Sequence, residues 1–89
     1  IIDKTHFKIM IIKPLSTEVA VDDATIAASR LVRVVNKHAT DASVLAIANA
    51  AATEMTLLAQ TSEVIEKDIG AVITATGGTV VATPVAFTN

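Results

Sequence analysis

The sequence contains no cysteine, tryptophan or tyrosine, and its only aromatic side chains are Phe7 and Phe87. Without cysteine there is no disulfide, no thiolate nucleophile and no cysteine-based zinc site. Small secreted domains commonly depend on disulfide staples, so their absence favours a reducing cytoplasm or a virus particle over secretion. Ligand pockets and peptide grooves lean on aromatic walls, which this chain has little material to build. Long apolar runs are missing too. The weakly polar stretch from Ala42 to Thr53, which Glu54 ends, falls well short of the ~20 residues that a spanning helix needs, which points away from a membrane. No secretory signal pattern stands at the start. The chain opens on Ile1 and not on Met, which leaves open either upstream residues or processing. Net charge is −2 and the pI is about 5.5, so no general pull draws the chain to nucleic acid or anionic lipid.

One further absence is local. No charged residue occurs from Ile69 to Asn89. Monomeric proteins guard exposed strands with lysine, proline or bulges, and here Pro84 is the single guard. At 89 residues the chain is one domain, residues 1–89, and it buries only about 60–65% of its unfolded surface. It has little of itself with which to cover a bare strand pair.

The residues present predict an α+β fold. "HFKIMIIK", from His6 to Lys13, alternates as a strand does, and Pro14 ends it. "EVAV", Glu18 to Val21, reads as either a brief strand or an extended connection. Asp22 and Asp23 offer carboxylates to the first turn of a helix running from about Ala24 to Lys37 or His38. Ala27, Leu31, Val34, Val35 and His38 share one face of that helix. Thr40 or Asp41 caps a second helix from about Ala42 to Gln60, with Val44, Ile47, Ala48, Ala51, Met55 and Leu58 as its apolar face. Thr61 or Ser62 opens a third helical segment, or a continuation of the second, that stops at Gly70. The runs from Ala71 to Thr76 and from Thr79 to Phe87 are rich in Val, Ile and Thr. Gly77-Gly78 between them predicts a two-residue hairpin turn, with Pro84 at an edge or at the strand's end. The expected architecture is a small antiparallel sheet, made of the N-terminal strand and the C-terminal hairpin, packed against two or three helices.

No motif forces a chemistry. A phosphate-cradling glycine loop leads from a strand into a helix with a lysine nearby, whereas Gly77-Gly78 joins strand to strand and no Lys or Arg follows Lys67. His6 and His38 lack a second ligand at i+2 to i+4 beyond the weak candidates Asp3 and Asp41, so both read as structural. Asp22 and Asp23 are explained by capping, and Glu63, Glu66, Lys67 and Asp68 by a solvated helix surface. No Gly-x-Ser-x-Gly elbow or Ser-x-x-Lys occurs. Catalytic, cofactor and metal residues are therefore expected to be none, and the chain is not expected to be an enzyme. Arg30, Arg33 and Lys37, at i, i+3 and i+7, form a basic helical stripe suited to an anion or nucleic acid. A net acidic chain with three such charges makes nucleic acid an unfavoured partner. "ASVLAIANAAATEMTLLAQ" also lacks the Arg or Lys that a helix-turn-helix reader needs.

The bare C-terminal stretch is thus the main functional clue. It predicts an interface through Val72, Ile73, Val80, Val81, Val85 and Phe87, completed by copies of the chain or by other subunits. The leading expectation is a non-enzymatic structural subunit of a larger assembly, with a virus-particle component (capsid, decoration or tail) as its specific form. The alternatives are a small regulatory or nucleic-acid-binding module using the Arg30, Arg33 and Lys37 stripe, and a small oligomeric enzyme with a site between subunits.

Overall fold

The computed structural model describes residues 11–48 and 52–88. The first part of the expected N-terminal strand, with His6 and Phe7, lies outside the described residues. So does Asp3. Eight strands and one short helix follow in order: β1 (Ile11–Pro14), β2 (Val19–Ala20), α1 (Ala24–Ala27), β3 (Leu31–Asn36), β4 (Ser43–Ala48), β5 (Ala52–Leu57), β6 (Ser62–Glu66), β7 (Ile73–Thr76) and β8 (Val80–Thr88). They form two antiparallel sheets. One runs β1-β8-β3-β6, with β2 also on β8, and the other runs β5-β4-β7. The protein is a β-sandwich, and the expected α+β architecture is incorrect.

Two expected helices are strands, for a definite reason. Along β3 burial alternates strictly: Val32, Val34 and Asn36 are buried, while Leu31, Arg33 and Val35 are half-buried on the other side. Along β4, Ser43, Leu45 and Ile47 are buried while Val44 and Ala48 are exposed. The period is two, but apolar residues occupy both faces, so spacings of three and four can also be picked from the same letters. Pairing across the sheets decides the outcome, as it commonly does against a modest local propensity. The run from 42 to 60 becomes β4 and β5, paired from Ser43↔Leu57 to Ala48↔Ala52. The segment 61–69 supplies β6, paired with β3 through Val32↔Ile65 and Arg33↔Val64. The only helix among the described residues is α1. Its start is legible in the sequence: the Thr25 N–H donates to Asp23 Oδ1 at 2.9 Å. "EVAV" does form a strand, in which Val19 and Ala20 pair with Ala82 and Val81.

The expected C-terminal hairpin is also incorrect. β7 pairs with β4 in one sheet, whereas β8 pairs with β3 in the other. Gly77 and Gly78 both have positive φ, +82° and +65°, so the turn chemistry holds. What they make is a crossover between sheets. β3–β4, β5–β6 and β6–β7 also change sheet, and β4–β5 pairs directly, giving a Greek-key order of connections. Nor does Pro84 sit at an edge. β8 lies inside its sheet and changes partner there: Val80 to Pro84 pair with β3, and Val85 to Thr88 with β1. A residue with no N–H is tolerated at such a break in the ladder.

The core lies between the sheets. Val32, Val34, Leu45, Leu57 and Ile73 meet there, joined by Ile26 from α1. Each such aliphatic side chain contributes roughly 1.5–3 kcal/mol on burial. Small residues allow close approach: Ala71 and Ala82 complete the same cluster.

Candidate functional site

Two buried polar side chains hold the connections, one at each end of the sandwich. Asn36 ends β3 on its inward-facing parity and is fully buried. Its Nδ2 donates to the Asp41 carbonyl at 2.9 Å and to the Leu57 carbonyl at 3.1 Å. Its Oδ1 accepts from the N–H groups of His38 and Thr79, each at 3.1 Å. One amide therefore ties together the β3–β4, β5–β6 and β7–β8 crossovers. Backbone bonds reinforce the clasp: Asn36 N–H to the Thr61 carbonyl at 3.0 Å, and Lys37 N–H to the Thr79 carbonyl at 2.7 Å. Gly78 packs directly on it, since a Cβ there would stand 2.8 Å from Asn36 Oδ1. Nearby, His38 Nδ1 accepts from the N–H groups of Thr40 and Asp41 at 3.1 and 2.9 Å. It braces a loop between strands; the expected helix C-terminus is absent.

Lys67 does the corresponding work at the other end. It is only 3% exposed. Its Nζ donates to the carbonyls of Ala27, at 2.9 Å, and Asp68, at 3.3 Å. The Gly70 N–H reaches the same Ala27 carbonyl at 2.7 Å, so the last turn of α1 is capped from the β6–β7 connection. Burial holds the Lys67 ammonium below its ordinary value near 10.5, and the Asp68 carboxylate offsets part of that effect. Arg30, Glu66, Asp68 and Ile69 line a shallow open hollow beside it. Sequence reasoning does not single out Asn36 or Lys67 as site residues. For Asn36 the available signal is its parity with Val32 and Val34; for Lys67 no sequence signal distinguishes it from the acidic run around it.

The basic residues are not grouped as a helical stripe, because that helix does not exist. Arg30 precedes β3 and faces Glu66 at 3.7 Å, with both side chains exposed. Lys37 follows β3 and pairs with Glu18 at 2.5 Å. Arg33 stands between them on the outer face of β3, opposite Val64 and Thr83, with no ion pair among the described residues. Two of the three charges are thus matched by carboxylates. Among the described residues no group of three or more His, Asp or Glu is placed to hold a metal, and no helix is long and apolar enough to cross a membrane.

The expected interface residues are split by the crossover. Ile73 is in the core, Val80 packs against it, and Val85 is buried. Val72 and Val81 lie on the outer faces of opposite sheets: the Val72 carbonyl accepts from the Ala48 N–H, and Val81 pairs with Val35 and Ala20. Phe87 pairs with Ile12 in the β1–β8 ribbon. That ribbon extends beyond the last β3 partner, and all four residues of β1 are exposed, Ile11 and Ile12 among them. Leu15 next to it is exposed as well.

The outer faces break the usual alternation. A two-layer sandwich turns polar side chains outward. Here the outer face of the three-stranded sheet carries Val44, Ala46 and Ala48 along β4, with Thr74 and Thr76 to one side and Glu54 and Thr56 to the other. Val44 is 42% exposed and Val72 is 41% exposed. Outward on the other sheet lie Leu31, Arg33 and Val35 of β3 beside Val81 and Thr83. Comparison with protein-family models, curated proteins and solved structures finds no match. The functional reading therefore rests on this surface.

Proposed function

We propose that this protein is a structural subunit that works by packing against copies of itself or other subunits of an assembly. The observation that carries the reading is the failed alternation: both outer faces of the sandwich present aliphatic and threonine side chains where a solitary domain would turn charges to water. The exposed Ile11, Ile12 and Leu15 on the β1 side support the same reading. A component of a virus particle is its specific form, supported by the cysteine-free, aromatic-poor, Ala/Val/Thr-rich composition.

Light scattering after size exclusion tests the proposal. Species heavier than the 9.2 kDa chain, growing with concentration, are expected. A mass that stays at one chain up to the solubility limit would sink it. Val81→Lys is expected to reduce assembly while leaving the fold intact, because Val81 lies half-buried on an outer face away from the core. If that variant assembles as the parent does, the β8 side of the surface plays no part.

A further inference from the structure

We infer that copies of this chain stack head to tail, with the outer face of the five-stranded sheet of one copy against the outer face of the three-stranded sheet of the next, registered by Arg33 against Glu54. This rests on the structural-subunit reading and adds the partner, the faces and the polarity.

The outer face of β5-β4-β7 holds one charged residue, Glu54, which pairs across the ladder with Ala46 at the middle of β4. The outer face on the opposite side of the sandwich has Arg33 at the middle of β3, between Val64 and Thr83. Glu66 on the edge strand is already matched by Arg30, and Lys37 just past the end of β3 by Glu18. Neither Arg33 nor Glu54 has an ion pair or hydrogen-bonding side chain among the described residues. Two faces made largely of aliphatic and threonine side chains therefore carry one unmatched charge each at their middle, of opposite sign.

Symmetry then selects the arrangement. A two-fold contact of the β3 face with itself brings Arg33 towards Arg33, and the β4 face with itself brings two Glu54 carboxylates together. Like charges facing each other across an interface are strongly disfavoured. Face to opposite face, each charge meets its complement, and the contact is heterologous, so it propagates into a ring or a filament. The surrounding side chains suit sheet-on-sheet contact: Ala46, Ala48 and Thr74 are small enough to let a second sheet approach to the ~10 Å spacing of packed sheets.

Size sets the strength. Three strands ~4.8 Å apart and six residues at ~3.4 Å each give a face of roughly 300 Å². A stable pairwise interface uses about 800 Å² per partner. A single contact is therefore weak, and stacking grows with concentration and with the number of neighbours.

The test uses the whole chain and reads mass by sedimentation velocity at rising concentration and low salt, where charge pairing is least screened. Arg33→Glu alone and Glu54→Arg alone should each weaken association about tenfold or more. An equal mixture of the two variants should restore it. In the mixture the introduced carboxylate of one variant meets the introduced guanidinium of the other, and the unchanged Glu54 of the first meets the unchanged Arg33 of the second. Arg33→Gln and Glu54→Gln serve if a reversal fails to fold, and should show intermediate weakening in both. If the parent assembles and the single variants assemble equally well, or the mixture behaves as its components do, the stacking inference fails and the structural-subunit reading stands. A parent that remains a single chain at the highest concentration overturns both.

Discussion

At one end of the sandwich three crossovers meet on the neutral amide of Asn36; at the other, the end of α1 and the β6–β7 connection meet on the ammonium of Lys67. Asn36 has both donors and both acceptor positions used, and every group it hydrogen-bonds to through its side chain is a main-chain atom. Lys67 donates to two carbonyls, one of which is shared with the Gly70 N–H. The first clasp costs no buried charge. The second places a cation where water is largely excluded, and its strength depends on protonation. A small domain with few aromatic side chains gains much of its uniqueness from such polar fixtures, because a core of Val, Ala and Ile alone is less specific about which strand crosses where.

The largest loss is expected at Asn36. Asn36→Ala leaves two N–H groups and two carbonyls without their partner, the Leu57 carbonyl in a buried place and the other three in partly buried ones, and a buried group so left costs about 1–3 kcal/mol. Allowing for water entering the gap, a loss of about 3 kcal/mol or more is expected. For a domain of this size that lowers the melting temperature by roughly 12–24 °C. A shift of only a few degrees in calorimetry would mean that the crossovers hold each other without the amide.

Next in size is the glycine comparison. Gly78 has φ +65° and no room, with Asn36 Oδ1 2.8 Å from the place of a Cβ. Gly70, in the Lys67 clasp, has φ +92° and nothing within 4 Å. Gly70→Ala should cost about 1–2 kcal/mol through backbone strain alone. Gly78→Ala adds a displaced clasp and should cost about 1–3 kcal/mol beyond that. Equal costs in denaturant titrations would show that the amide yields to a methyl group without losing its partners.

The smallest effect is the most diagnostic. Lys67→Met keeps the volume, and the Ala27 carbonyl keeps its bond from Gly70, so the change at neutral pH should stay within about 1 kcal/mol. Its pH dependence carries the information. The folded-state pKa of Lys67 is lowered, so above it the folded chain has released a proton that the unfolded chain still holds. Stability attributable to Lys67 is therefore lowest at neutral pH and rises from that lowered value up to the ordinary value near 10.5. The parent should gain on Lys67→Met across this alkaline window. Parallel stability curves for the two proteins would show that the ammonium is solvated in the folded state.

How far these features are legible in the sequence follows from the same residues. The cap at Asp23, the strands of the C-terminal stretch and the positive φ of Gly77-Gly78 are local matters, and local chemistry announces them. Whether β8 folds back on β7 or crosses to β3 is settled by distant partners, and the turn residues say nothing about it. The stretch from 24 to 60 misleads because Val44, Ala46 and Ala48 are as apolar as the buried Leu45 and Ile47 between them. A strand with two apolar faces has no strong two-residue rhythm, and Ala, Leu and Met make it resemble a helix. The property that hides the fold is the one that supports the assembly reading. Among the proposed site residues, Arg33 is visible as a charge but reads as part of a helical stripe, and Glu54 falls within the expected second helix, off its apolar face.

The pairing of β1 with β8 has a mechanical consequence. Ile11 faces Thr88, and Pro14 faces Val85, so the two strands run antiparallel with both outer ends at the same side. A pull applied at Ile11 and Thr88 loads their hydrogen bonds one after another, as a zipper is opened, and never all together in shear. The ribbon should peel at low force as far as Pro84, where β8 begins its pairing with β3 through Val32. Tension along the chain would therefore lengthen the molecule by the span of the ribbon while the sandwich behind it keeps its shape.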